Sequence, residues 1–213
     1  MFDLDCRRCS RLASFLDEVG EDYPEYHARP VEPFGAKKIE LLIVGLAPGM
    51  HGANATGRPF TGDYAGVLLY QTLFDFGFSN KPVSVSIDDG LKLKNCRITN
   101  AVKCLPPQNK PTTDEVKICN DFLQQELAEL KPGTVVLALG SIAHGAVLRA
   151  MGLKVGSYKF GHLAEYALPK GLWLLDSYHC SRYNTQTKRL TDEMFRDVFA
   201  RAKVLMGTPS KAL

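Results

Sequence analysis

Thr134-Val135-Val136-Leu137-Ala138-Leu139-Gly140, running at Ser141 into a stretch of helical character, decides the fold. The run is apolar at successive positions, so a strand made from it presents apolar side chains to both sides of its sheet. Both sides must then be covered, as in a parallel sheet held between helices. Working outward, three further runs read as strands: Ile39-Glu40-Leu41-Leu42-Ile43-Val44-Gly45, Arg97 to Lys103, and Leu172-Trp173-Leu174-Leu175-Asp176. Helical spacing lies between them. Asp63 to Phe78 places Val67, Leu68, Leu69, Leu73 and Phe74 at that spacing, and Thr113 to Leu130 does the same with Ile118, Phe122 and Leu127 before Lys131-Pro132-Gly133 stops it. Thr191 to Leu205 is a closing helix with Thr191 and Asp192 as candidate caps, and Leu12, Phe15 and Leu16 put Cys6 and Cys9 at the start of an N-terminal one. Asp22 to Lys38 and Leu46 to Gly62 read as loops. The alternation predicts an α/β fold, a three-layer α/β/α sandwich around a central, mainly parallel sheet of about four strands.

With 213 residues, 45% of them hydrophobic, the chain is long enough for one full core and short for two. One domain over residues 1–213 is expected, with 207–213 as a frayed tail. No run approaches the roughly 18 apolar residues of a membrane span, and Met1-Phe2-Asp3-Leu4-Asp5-Cys6 lacks the basic and apolar regions of a signal peptide. A soluble, cytoplasmic monomer without membrane contact is the expectation. The net charge of +3 allows a phosphate-binding face and excludes a polybasic protein. Six cysteines in a reducing compartment suit metal ligands and core thiols better than disulfides. Spacing alone leaves Cys6-x-x-Cys9 open between zinc, a redox dithiol and iron–sulfur.

Ligands of such sheets collect beyond the carboxyl ends of the strands. Three of the strands end in unusual polar sequence: Gly45-Leu46-Ala47-Pro48-Gly49, Asn100 to Cys104, and Ser177-Tyr178-His179-Cys180-Ser181-Arg182. The glycines at 45, 49, 52, 57 and 62 match neither the dinucleotide fingerprint nor the phosphate loop.

The run Gly45-Leu46-Ala47-Pro48-Gly49, continued by Gly52-Ala53-Asn54 and Thr56-Gly57-Arg58-Pro59-Phe60-Thr61-Gly62-Asp63, resembles the first motif of the family-5, or type b, uracil-DNA glycosylases. Tyr178-His179-Cys180-Ser181-Arg182-Tyr183-Asn184-Thr185-Gln186-Thr187-Lys188 is similar to their second motif, and Asn100 to Cys104 with Pro106-Pro107 is similar to a segment shared by cluster-bearing glycosylases. The resemblance, from Cys6 to about Phe199, implies an enzyme that flips uracil or a related damaged base out of DNA and hydrolyses its N-glycosidic bond. It implies a [4Fe–4S] cluster on Cys6, Cys9, Cys104 and Cys119, four thiolates being what such a cluster takes. It implies Asp63, His179 and Asn100 as catalytic residues. Breaking the bond needs negative charge near an oxocarbenium-like sugar and donors near the departing base.

Leu46 to Gly49 offers no side chain that can act as a base, and the resemblance carries that role over to Asp63; following Gly62 ahead of a helix, Asp63 also reads as an ordinary N-cap. His179 donates to the pyrimidine oxygen, Asn100 reads the base edge, Phe60 stacks on the base, and backbone N–H groups of Leu46 and Ala47 hold a base oxygen. Arg182 or Tyr183 wedges into the DNA stack, with Lys188 and Arg189 toward phosphates. Gly49 replaces the aromatic residue with which narrowly uracil-specific relatives exclude the thymine methyl, which implies a broader range of bases. Ala55 departs from the family's basic residue at that place. Cys96 reads as a buried thiol, Cys180 as a residue with a packing or loop role and His144 as structural or solvated, while His51 is a candidate to face the site. Two other readings stand beside the enzyme: a lesion-sensing DNA-binding module of the same fold, and an iron–sulfur redox protein.

Overall fold

The structure, a computed structural model, describes residues 2–210. Six strands, two more than the sequence suggests, form one sheet in the order β1-β3-β2-β4-β6-β5. They are β1 (Phe34–Gly35), β2 (Leu41–Gly45), β3 (Cys96–Asn100), β4 (Val135–Leu139), β5 (Glu165–Leu168) and β6 (Leu172–Ser177). The four expected strands are the parallel centre, and the two missed ones are antiparallel edges, β1 on β3 and β5 on β6. The expected Arg97–Lys103 strand stops at Asn100, because the chain turns away there to pass Cys104 toward the next helix.

The helices are α1 (Ser10–Asp22), α2 (Ala53–Thr56), α3 (Tyr64–Asp75), α4 (Thr113–Ala128), α5 (Ser141–Ala150), α6 (Arg182–Gln186) and α7 (Asp192–Leu205). The short α2 and α6 fall in segments that carry no helical periodicity. Alternate residues of the central strands go to opposite layers. Leu42, Val44, Val136 and Ala138 pack with Leu12 of α1, Phe122 of α4 and Val147 of α5. Leu41, Ile43, Val135 and Leu137 pack with Leu69 of α3 and Phe195 and Phe199 of α7. Every residue of β2 and β4 is buried, as continuous apolar runs require. Thr112 and Glu115 close a capping box on α4, and Thr191 caps α7 through the Met194 N–H.

Within the tail expected to fray, residues 207–210 are described and make contacts with the sheet. The Trp173 indole donates to the Thr208 carbonyl at 2.7 Å, and the Ser210 hydroxyl donates to the Leu168 carbonyl at 2.9 Å. Residues 211–213 lie outside the described residues. Among the described residues no helix is long and apolar enough to cross a membrane.

Between α3 and β3 a loop folds back over the first motif, held by Arg58. That guanidinium, 3% exposed, binds Asp89 at 2.8 Å, the Ser84 hydroxyl at 2.9 Å and the Ile87 carbonyl at 2.6 Å. Burial raises the proton affinity of Asp89, but Arg58 and backbone N–H groups overcome it and hold the carboxyl well below the ordinary carboxylate range. Arg58→Ala strands Asp89 without its partner. Urea unfolding is expected to register a loss of roughly 3 kcal/mol, the usual cost of removing one member of a buried pair; a loss under ~1 kcal/mol, typical of exposed pairs, would contradict the assignment.

Candidate active site

Beyond the carboxyl ends of β2, β3 and β6 lies a cavity of about 450 Å³. Its walls include Leu46, Ala47, Phe60, Asp63, Asn100, His179 and Arg182, so seven residues named from the sequence meet at one place. The elements explain why. β2 and β3 run parallel with Gly45 beside Asn100, and a side chain at position 45 would collide with the Asn100 amide and the Phe60 ring. Only glycine there lets both reach the cavity. Phe60 is held at φ 55°, a costly conformation for a bulky residue, with its carbonyl seated against Gly66 where any Cβ would strike it.

Asp63 is the N-cap of α3 and accepts the Gly66 N–H at 2.8 Å. It also lines the cavity, so the capping and site positions coincide. Burial raises its proton affinity above the ordinary value, and the N–H groups of Gly66 and Ala65 offset part of that rise. His179, two residues past β6, lies with its ring 5.9 Å from Phe60 at an interplanar angle of 26°. Burial alone lowers its pKa, to about 4, so the imidazole is neutral in ordinary buffers. Asn100 is buried to within 3%, and its Oδ1 has no hydrogen-bond partner. A buried amide left unpaired at a cavity wall is costly unless something bound there completes it. A shaped recess with a carboxylate on one wall and a neutral imidazole and an open amide on others can hold a flat heterocycle and stabilise positive charge beside it.

Arg182 lines the mouth and Tyr183, 71% exposed, stands next to it on α6. Lys188 is exposed at a positive φ of 56° just past that helix. Arg189, expected toward phosphates, is exposed with its guanidinium 4.7 Å over the ring of Tyr178. His51 is not among the cavity walls; its Nδ1 pairs with the Tyr26 hydroxyl at 2.8 Å. His144 is structural as read: it bonds Asp176 at 2.9 Å and the Tyr158 carbonyl at 3.1 Å inside the core. Sequence reading missed Tyr64, Ser181 and Asn109, all on the cavity wall. Asn109 arrives there on a turn in which Gln108 and Asn109 both take positive φ, near 55°; the Pro-Pro-Gln-Asn order was the available signal.

The four cysteines Cys6, Cys9, Cys104 and Cys119 line a separate small cavity beneath Arg8 and Phe122. Cys9 is the N-cap residue of α1, Cys119 sits in α4, and the Lys103 N–H approaches Cys119 Sγ at 3.2 Å. Burial and mutual repulsion push Cys104 up to about 12, and burial pushes Cys119 up to about 11, so these thiols hold their protons until a cation replaces them. Among the described residues no three His, Cys, Asp or Glu side chains are arranged to hold a single metal ion. The donor set, four soft sulfurs around one cavity, fits a cluster with sulfur ligation.

Residues 32–203 match the family model described as the uracil DNA glycosylase superfamily. The chain is 48% identical to a type-5 uracil-DNA glycosylase of Thermus thermophilus, over 95% of this chain and 94% of that protein. A type-5 uracil-DNA glycosylase of Pyrobaculum aerophilum is 43% identical over 96% and 90% of the two chains. A type-4 uracil-DNA glycosylase of the same organism is 37% identical over 60% of this chain.

Proposed function

The chain belongs to the uracil-DNA glycosylase superfamily, and on that footing we propose that it is a uracil-DNA glycosylase of base-excision repair. It flips uracil out of DNA and hydrolyses the bond between N1 of the base and C1′ of the sugar, leaving an abasic site. The observation that carries this reading is the meeting of Asp63, Asn100 and His179 in one recess of about 450 Å³, with the Asn100 amide oxygen unpaired. That oxygen accepts N3–H of uracil. Phe60 stacks on the ring, and backbone N–H groups of Leu46 and Ala47 hold a base oxygen.

As the C1′–N1 bond breaks, its electron pair goes to the base and spreads to O2, where neutral His179 donates a hydrogen bond. The Asp63 carboxylate faces the cationic sugar and orients the water that adds to C1′. Among the described residues no lysine lines the recess, in keeping with hydrolysis rather than a Schiff-base step. Arg182 or Tyr183 fills the gap left by the flipped nucleotide, and Lys188 meets the backbone. Gly49, on the cavity wall with its Cβ position in van der Waals range of Asp63 Oδ2 at 3.7 Å, brings no side chain to screen the base, which favours a range wider than uracil.

Cys6, Cys9, Cys104 and Cys119 would hold a [4Fe–4S] cluster. Bound there, it supplies covalent ties among the N-terminal segment, the exit of β3 and α4. The four thiols line one small cavity, and four thiolates are what such a cluster takes.

A duplex with one deoxyuridine, incubated with the protein and then with alkali, is expected to break at that site; intact strands on uracil and on a lesion panel would remove the glycosylase reading. The pH profile is a second check. The fold raises the Asp63 pKa, so its carboxylate form, and with it the rate, should rise with pH through a midpoint above the ordinary carboxylate range. His179 is neutral above about 4 and adds no requirement for a protonated group. A rate that climbs as pH falls below neutrality would instead point to a protonated histidine.

A further inference from the structure

We infer that Cys180 is a positioning residue for His179: its buried thiol clips the turn carrying His179 to the first turn of α3, which carries Asp63. The inference rests on the glycosylase reading and extends it to how the two halves of the site are held together. Cys180 is fully buried, and its Sγ–H donates to the Ala65 carbonyl at 3.4 Å, linking positions 115 residues apart. Ala65 faces both ways. Its N–H approaches the Asp63 carboxylate while its carbonyl takes the thiol, so one residue joins the two catalytic segments.

The other side of the turn is held as well, by the Asn184 amide donating to the His179 carbonyl at 2.8 Å. Behind His179, Gly140 leaves 3.8 Å between its own Cβ position and the His179 Cβ, and Phe60 lies in front of the ring. Backbone attachments and ring packing therefore set the direction of the imidazole. A weak S–H donor suffices for this because the bond lies in a dry interior, where it adds to the helical bond that the Ala65 carbonyl already accepts within α3.

The test is single-turnover excision of uracil and of 5-fluorouracil from otherwise identical duplexes. 5-Fluorouracil leaves more readily as an anion and needs less help at O2. Cys180→Ala is expected to slow uracil excision roughly tenfold with little change in KM, since a small misplacement of a catalytic group is costly. It should slow 5-fluorouracil excision much less. Cys180→Ser keeps a donor and should recover most of the rate. In a His179→Ala background, adding Cys180→Ala should cost nothing further, because the thiol acts through the ring. Should Cys180→Ala fail to fold, Cys180→Val, apolar, without a donor and leaving no cavity, takes its place. Equal slowing on both bases, additive loss on His179→Ala, or an unchanged rate would each overturn the inference with the glycosylase reading intact. A wild-type protein inactive on uracil would end both.

Discussion

Asp63→Asn is expected to lower excision by roughly 10²- to 10⁴-fold, the range for removing a positioned acid–base group, while the protein melts no earlier than wild type. The two halves have separate causes. The asparagine oxygen still accepts the Gly66 N–H, and Asn and Asp cap helices about equally well, so α3 keeps its start. What is lost is the negative charge facing the sugar. On the stability side, the folded pKa of Asp63 lies above its unfolded value. The native state thus binds the proton more tightly, stability falls as pH rises between the two values, and the full cost is present above both. Replacing the carboxyl with an amide removes that cost. Excision kinetics and thermal melts on the same preparations decide the matter. Retained activity would leave Asp63 as a cap only, and a lowered melting temperature matched by loss of DNA binding would mean the fold had failed instead.

Cys104→Ala is expected to have the larger effect on stability. Wild-type protein prepared without oxygen should carry about four iron and about four sulfide per chain, as a [4Fe–4S] cluster demands. Cys104 lies four positions after Asn100, and its thiol shares the cavity with Cys119 of α4 and with the segment before α1. Losing one ligand loosens all three segments, and metal binding to such small sites is itself folding free energy, so a drop of several kcal/mol in unfolding free energy should follow, with excision falling as Asn100 loses its support. One zinc per chain and no sulfide would replace the cluster with a structural zinc. No metal at all, with unchanged stability in Cys104→Ala, would reduce the four cysteines to core thiols.

The parallel centre of the sheet was legible because Leu41 to Val44 and Val135 to Leu139 are apolar at every position, a pattern that needs cover on both faces. The edges were not. β1 is two residues long, and Glu165 and Tyr166 of β5 face partly outward, so neither carries an apolar run to read. The contacts of the tail were hidden for a similar reason: Thr208 and Ser210 are polar residues whose partners, Trp173 and Leu168, are distant in sequence. Of the residues on the cavity wall, Ser181 went unnamed although it lies inside the second motif, and Asn109 went unnamed because its place depends on a turn with two positive φ values rather than on a side-chain pattern.

The sequence by itself determined the layers, the family and which side chains are present at the ends of β2, β3 and β6, because burial patterns and motifs are local properties of the chain. Tertiary structure decided what those side chains can do. It brought Asp63 to a cap that is also a cavity wall, buried His179 enough to keep it neutral, and left the Asn100 oxygen without a partner. It also joined Cys180 to Ala65 across 115 positions. Proton affinity, unpaired atoms and the aim of a ring all depend on what surrounds a group in space, and residue order leaves that to the fold.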